Sequence, residues 1–137
     1  MKTKYDLIQM RDVWIDAYTN GDIDQLSFVE SPHFFVKRGD IIITRHQQIS
    51  HIKQHLSENT WRRFDLGFRD ETIRITESKQ WASISGTSSI RRDGMALIWF
   101  NFLEPWLACD DRWQIAALCY DEKNSEDDTA EDRSKPE

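Results

Sequence analysis

The chain has 137 residues, a net charge of −6, and six Trp, seven Phe and three Tyr. This length suits one domain with its own hydrophobic core. Most of the charge lies in residues 121–137, which hold eight acidic against three basic residues and only Ala130 as a hydrophobic residue. We therefore predict one folded domain over residues 1–120 and an acidic, disordered tail over residues 121–137.

Several classes of partner and site are not expected. No apolar run approaches the roughly 18 residues of a membrane span, and residues 1–4 are not followed by a signal-peptide core. The nearly neutral residues 1–120 are a poor match for nucleic acid. Cys109 and Cys119 fit no CxxC or metal-ligand spacing, although a disulfide across the last hairpin stays open. We predict a cytoplasmic protein with no membrane or nucleic-acid partner, no cofactor and no metal.

The first half of the chain is predicted to be mostly helical. Apolar residues at helical spacing in residues 4–18 indicate a long first helix that ends at Gly21. Asp22 is expected to cap a short second helix through Phe28, which ends at Pro32. A hairpin over residues 33–43 follows, with its turn at glycine. Thr44 and Gln47 then form a capping-box pattern for a third helix, predicted to run to about residue 58.

The second half is predicted to consist of four long antiparallel strands. Alternation begins at Trp61, and its phase changes near Asp70-Glu71, which indicates a β-bulge. A strand over residues 81–90 turns at Asp93-Gly94 into a strand over residues 95–106, and the last strand covers residues 113–120. Helices on one face of an antiparallel sheet make the fold class α+β.

The strand over residues 95–106 is apolar on both of its faces. Leu97, Trp99 and Leu103 lie on one face, and Ile98, Phe100 and Phe102 lie on the other. Such a strand is covered on both faces. Because the helices cover only one of them, we predict a homodimer through the open sheet face.

Three spaced motifs resemble those of a known superfamily. They are Ala17-Tyr18-x-x-Gly21-Asp22-x-x-x-Leu26, Thr44-Arg45-x-x-x-Ile49 and Asp111-Arg112-Trp113-x-Ile115. Over residues 5–120 the chain resembles the NTF2-like superfamily, with its SnoaL-like and ketosteroid-isomerase-like domains. The resemblance implies a curved antiparallel sheet of about four long strands plus a short hairpin, wrapped around a long N-terminal helix. This cystatin-like cone holds a mostly apolar ligand at its open end.

The resemblance does not carry over the isomerase's catalytic residues. Where that group has an oxyanion-stabilising tyrosine, this chain has Trp14. The general-base aspartate would fall near Val36-Lys37, where there is no carboxylate, and the second acid would fall near Asn101 or Leu103. Isomerase activity of that type is therefore not expected.

The resemblance does imply where a ligand would lie. Trp14 and Tyr18 are one turn apart on the first helix, and Trp99, Asn101 and Leu103 share one face of the central strand. Because these two elements face each other in the family's fold, all five side chains are expected to line one cavity. Two alternatives stay open: Asn101 as a core amide, and Tyr18 with its hydroxyl in water.

Acid–base chemistry has few candidates in the sequence. His33 near the cone mouth and Asp16 on the first helix could carry a proton, with Tyr18 and Asn101 as orienting donors. His51 and His55 are four residues apart, but a metal site needs three or four converging ligands.

Three functions follow from these patterns. The first is a homodimeric domain that binds a small, largely apolar ligand in its cone without a catalytic set. The second is a lyase, isomerase or cyclase acting on a small ring substrate by acid–base chemistry. The third is a non-catalytic assembly domain, with the acidic tail as its contact. Enzymes need converging titratable groups, carriers need an apolar cavity, and assembly domains can fill the cone with side chains.

Overall fold

The computed structural model describes residues 5–58 and 66–123, the side chains of residues 66–68 excepted. The predicted tail from residue 124 onward and the predicted strand start at Trp61 lie outside the described residues. Within the described part, no helix is both long enough and apolar enough to span a bilayer.

The first helix, α1, spans Leu7–Asn20. Asp6 caps it and forms a capping box with Gln9, so backbone N–H groups that lack helical partners are satisfied. Gly21 follows with a φ of 67°, a left-handed conformation that glycine adopts without a steric penalty. The helix therefore ends at the predicted glycine.

The other two helices are also capped by local side chains. Asp22 caps α2, which spans Ile23–Val29. Thr44 caps α3, which spans Arg45–Ser57, and Gln47 completes the predicted capping box.

Six strands form one mixed sheet in the order β2-β1-β6-β5-β4-β3. The strands are β1 (Glu30–Arg38), β2 (Ile41–Thr44), β3 (Leu66–Glu77), β4 (Trp81–Arg92), β5 (Met95–Cys109) and β6 (Arg112–Lys123). The predicted α+β class is confirmed, but the sheet is not purely antiparallel. The β1–β2 hairpin is joined to the four long strands through the pairing of β1 with β6, and this pairing is parallel.

Two strand ends differ from the prediction. β1 begins at Glu30 and includes Pro32, which was expected only to end the second helix. The pairing of β1 with β6 shifts between Glu30 and Phe35, around a proline that has no N–H to donate. β6 continues to Lys123, three residues beyond the predicted end of the folded domain.

The predicted bulge lies in β3. The pairing of β3 with β4 shifts register between Asp70 and Thr72. After the shift, Ile73 and Ile75 pair with Gly86 and Ile84, so they fall on the face that carries buried Ile84. The bulge thus explains the phase change seen in the sequence.

The sheet has a covered inner face and an open outer face. In β5, the inner side chains are buried, among them Phe102, Glu104 and Trp106, whereas Trp99 and Leu103 on the outer face are about two-fifths exposed. Helix α1 contacts β1 at one end of the inner face and β3 at the other. Because three strands separate these two, the sheet must curve around the helix, and the space it encloses is the cone.

Candidate functional site

Trp14 of α1 occupies the middle of the cone. Only 6% of its surface is exposed, and its ring centroid lies 6.3 Å from that of Phe34 and 6.4 Å from that of Trp106. Tyr18 is one turn further along α1 on the same side of the helix, and its ring centroid lies 6.5 Å from that of Trp14. These aromatic rings give the cone an apolar wall.

A buried carboxyl group faces this wall. Glu30 is the first residue of β1 and is only 1% exposed. Its Oε2 accepts a hydrogen bond from Trp14 Nε1 at 3.1 Å, and both of its oxygens accept from Gln48 Nε2 at 3.0 Å. The side chain therefore joins α1 and α3 to the start of the sheet.

Glu30 is easier to protonate than an ordinary glutamate. Burial raises its pKa, while the hydrogen bonds from Trp14 and Gln48 and the charge of Arg45 act in the opposite direction. Burial dominates because Arg45 Nε is 3.8 Å from the nearest carboxylate oxygen, too far for a hydrogen bond. A carboxyl group with a raised pKa in an aromatic environment is a candidate functional group.

Tyr18 interacts electrostatically with the same region. Burial raises the pKa of Tyr18 to about 12, and the charges of Tyr120 and Glu30 add to the shift. At the same time 43% of the Tyr18 surface is exposed, so part of the side chain is in contact with solvent. At neutral pH this phenol stays protonated and can donate a hydrogen bond.

A second polar cluster within the cone is internally satisfied. Arg11 is 4% exposed and donates to Glu104 from Nε at 2.8 Å and Nη2 at 2.7 Å, and to Asp70 from Nη1 at 2.7 Å. Trp106 Nε1 donates to Glu104, and Ser88 Oγ donates to Asp70. Burial lowers the pKa of Arg11, but its hydrogen bonds to Glu104 and Asp70 and their charges outweigh this effect, so the pKa is raised. The paired charges make this cluster a structural link between α1 and the sheet.

The structure brings together only part of the predicted pocket lining. Trp14 and Tyr18 lie in the cone, but Trp99, Asn101 and Leu103 lie on the outer face of β5. The prediction that all five meet around one cavity is therefore wrong. In a strand that is apolar on both faces, the sequence does not indicate which face the helices cover, and they cover the face of Phe100 and Phe102.

Asn101 instead borders a groove on the outer face of β3, β4 and β5. The groove has a volume of about 330 Å³ and is lined by Thr72, Ile73, Arg74, Ser85, Gly86, Thr87 and Asn101. The hydroxyl oxygens of Thr72 and Thr87 are 2.8 Å apart across the strands. This part of the outer face is more polar than its surroundings.

The two proton carriers suggested by the sequence lie at the surface. His33 is exposed on β1 and precedes Phe34, which points inward. Asp16 is exposed on α1, and its carboxylate accepts a hydrogen bond from the Asn20 amide at 3.2 Å.

Sequence reasoning missed the buried polar residues of the cone. Glu30 follows Phe28 and Val29, and Glu104 follows Leu103, so each charge interrupts an apolar stretch. A carboxylate at the inward position of such a stretch must find partners when buried. That signal was available, but the partners Arg11 and Gln48 are distant in sequence.

Comparison with known proteins supports the fold rather than a function. No family model matches the chain, and none of the curated proteins matches its sequence. An NTF2-like protein from Cytophaga hutchinsonii superposes with a TM-score of 0.66 at 14% identity, over 85% of this chain and 95% of that one. A protein of unknown function with a cystatin-like fold from Nostoc punctiforme gives a TM-score of 0.68 at 7% identity, over 91% and 97%.

A ketosteroid isomerase-like protein from Erwinia carotovora atroseptica gives a TM-score of 0.57 at 13% identity, over 86% of this chain and 94% of that one. These likenesses show that the chain has the NTF2-like, cystatin-like fold, which confirms the fold predicted from the sequence. Identities this low leave the function to be argued from the site itself.

Proposed function

We propose that the protein binds a small, largely apolar molecule at the open end of its cone, with Tyr18 as a hydrogen-bond donor to an oxygen atom of the ligand. The observation that carries the proposal is the position of Tyr18. Burial and the charges of Tyr120 and Glu30 raise the pKa of Tyr18, while 43% of the residue is still exposed. A ligand can therefore reach Tyr18 from solvent and contact the neighbouring ring of Trp14.

The surrounding side chains suit such a ligand. The aromatic rings of Trp14 and Phe34 offer apolar contact area beside Tyr18. Sites for small molecules are mostly apolar, with a few polar groups that fix the ligand's orientation. Tyr18 supplies such a group, because a phenol is protonated at neutral pH and can donate a hydrogen bond.

Binding by Tyr18 can be tested with a matched pair of tyrosine variants. Quenching of tryptophan fluorescence by 2-decalone and 2-decalol measures the affinity of a bicyclic body with one oxygen. Tyr18→Phe should weaken both ligands by about 3- to 10-fold, the value of one net hydrogen bond. Tyr5→Phe, at a similarly exposed tyrosine, should leave both affinities unchanged. If neither ligand binds, or if both variants weaken binding equally, the carrier function is wrong and the assembly domain is favoured.

Acid–base catalysis is a second candidate, and the raised pKa of Glu30 is the observation that favours it. It ranks below simple binding because both oxygens of Glu30 already accept hydrogen bonds and the residue is only 1% exposed. Exchange of the α-protons of bound 2-decalone with D2O, followed by NMR, separates the two functions. An exchange rate above the buffer rate that Glu30→Gln removes would establish catalysis.

We also propose that the protein is a homodimer through the outer face of its sheet. Large apolar side chains remain exposed on this face: Trp81, Leu97, Trp99, Leu103 and Leu107. Contiguous apolar patches of this kind are rare on monomers and mark interfaces. A partner sheet would also cover the second apolar face of β5.

A further inference from the structure

One buried side chain beside Glu30 has an unsatisfied polar atom. Gln48 of α3 is 6% exposed, and its Nε2 donates to both oxygens of Glu30. Its Oε1 is also buried and accepts no hydrogen bond from any residue that the structure describes. Buried polar atoms are normally paired, so an exception of this kind calls for an explanation.

A buried donor lies on the same side of α3. Arg45 Nε has no hydrogen-bond partner in the described part of the chain, since its nearest carboxylate oxygen, Glu30 Oε1, is 3.8 Å away. Arg45 and Gln48 are three residues apart and therefore lie on one face of the helix. Both side chains also approach the same oxygen of Glu30. An unpaired acceptor and an unpaired donor thus lie next to one carboxyl group.

We propose that the site between Gln48 Oε1 and Arg45 Nε, called the recess below, binds the hydroxyl group of the ligand, which donates to Gln48 Oε1 and accepts from Arg45 Nε. The inference rests on the proposed function and names the chemical class of its ligand. A hydroxyl both donates and accepts, whereas a ketone oxygen only accepts and an ammonium group only donates. The ligand is therefore a small apolar alcohol or phenol rather than a ketone or an amine.

The recess adjoins the Tyr18 subsite. Glu30 accepts a hydrogen bond from Gln48, lies 3.8 Å from Arg45 Nε, and its charge raises the pKa of Tyr18. One ligand can therefore place its apolar body along the aromatic wall and its polar end beside Glu30. The Arg45 side chain is 27% exposed at the first turn of α3, although its Nε is buried.

Affinities of matched ligands test this specificity. The protein should bind 2-decalol about tenfold more tightly than 2-decalone, because only the alcohol satisfies Gln48 Oε1. Gln48→Met should reduce 2-decalol binding towards the level of the ketone, because only the alcohol donates to Gln48 Oε1. Arg45→Met should weaken both ligands, because either oxygen can accept from Arg45 Nε. Gln54→Met, at an exposed glutamine of the same helix, is the control and should keep the preference.

Several results would overturn the inference without affecting the carrier function. Equal binding of alcohol and ketone would show that the recess does not distinguish a hydroxyl group from a carbonyl group. A preference for the ketone would mean that the Gln48 amide is turned round and presents its NH2 group. A crystal structure of the complex with water, rather than the ligand oxygen, between Gln48 and Arg45 would also contradict it. If Gln48→Met does not fold, the inference is tested by the preference of the wild type for 2-decalol over 2-decalone and by the ligand affinities of Arg45→Met. Failure of both ligands to bind contradicts the carrier function itself.

Discussion

Two buried glutamates in this protein differ in how their charge is compensated. Glu104 meets the guanidinium of Arg11 through two short hydrogen bonds, so its charge is neutralised in place. Glu30 receives only the neutral donors of Trp14 and Gln48, and the nearest cation is 3.8 Å away. Desolvation without a close counter-charge disfavours the ionised form. Glu30 is therefore the carboxyl group whose protonation can change in the cone.

The stability of the protein should report this proton. The raised pKa means that Glu30 binds its proton more tightly in the folded state than in the unfolded state, where its pKa is near 4.5. This contribution to stability is fully present below pH 4.5 and is lost as the pH rises through the folded pKa. Glu30→Gln cannot ionise, so the difference in unfolding free energy between wild type and variant should shift in favour of the variant as the pH rises. Urea denaturation at steps from pH 4 to pH 8 measures this difference.

A second glutamate variant provides the control for that measurement. Glu104→Gln should destabilise the protein by about 3 kcal/mol over the same pH range, because it weakens a buried ion pair. The charged or titratable groups that interact with Glu30, among them Arg45 and Tyr18, are present in both variants. A wild-type minus Glu30→Gln difference that stays flat from pH 4 to pH 8 would contradict the prediction.

At the scale of secondary-structure elements, the sequence predicted the features that depend on residues close together in the chain, which are the helix ends and the β-bulge. The predicted caps Asp22 and Thr44 and the terminating Gly21 act within one helical turn, so these helix ends could be predicted from the sequence. The bulge after Asp70 was also visible, because it changes the alternation locally. The inward face of β5 depends instead on which side α1 packs against. Because this packing is a long-range contact, the sequence alone did not show it, and Asn101 was wrongly predicted to line the cone.

The β3–β4 pair depends on close backbone contact at a glycine. A Cβ atom on Gly86 would lie 2.0 Å from the carbonyl oxygen of Thr72, which flanks the bulge. Gly86→Ala should therefore push the strands apart and destabilise the protein by at least about 2 kcal/mol. Urea denaturation and hydrogen exchange of the β3 amides measure the loss.

Gly94 supplies the comparison for this glycine. It lies in the β4–β5 turn with a φ of +80°, and a Cβ there would meet no atom within 4 Å. Gly94→Ala should cost only about 1 kcal/mol of backbone strain. If Gly86→Ala is no less stable than Gly94→Ala, close packing at the bulge is not what requires Gly86.

At the scale of the whole molecule, the two faces of the sheet have different roles. Aromatic side chains and the Arg11 ion pairs lie on the inner face, and they hold α1 against β5 and β3. The outer face of β5 keeps large apolar side chains in contact with solvent, with Leu97 at 50% and Leu103 at 43% exposure. A single chain therefore builds the proposed binding site but leaves its apolar outer face uncovered.

Dimerisation through that outer face can be tested at the centre of β5. Sedimentation equilibrium at tens of micromolar, roughly the range for a specific interface, should show a dimer of the wild type. Leu103→Asp should give a monomer, because it places a charge in the apolar patch. Ile42→Asp also charges an exposed residue, but it lies in the edge strand β2, three positions away from β5 in the sheet order. This variant should therefore remain dimeric. A monomeric wild type would overturn the proposed assembly, and a dimer that tolerates Leu103→Asp would move the interface away from this face.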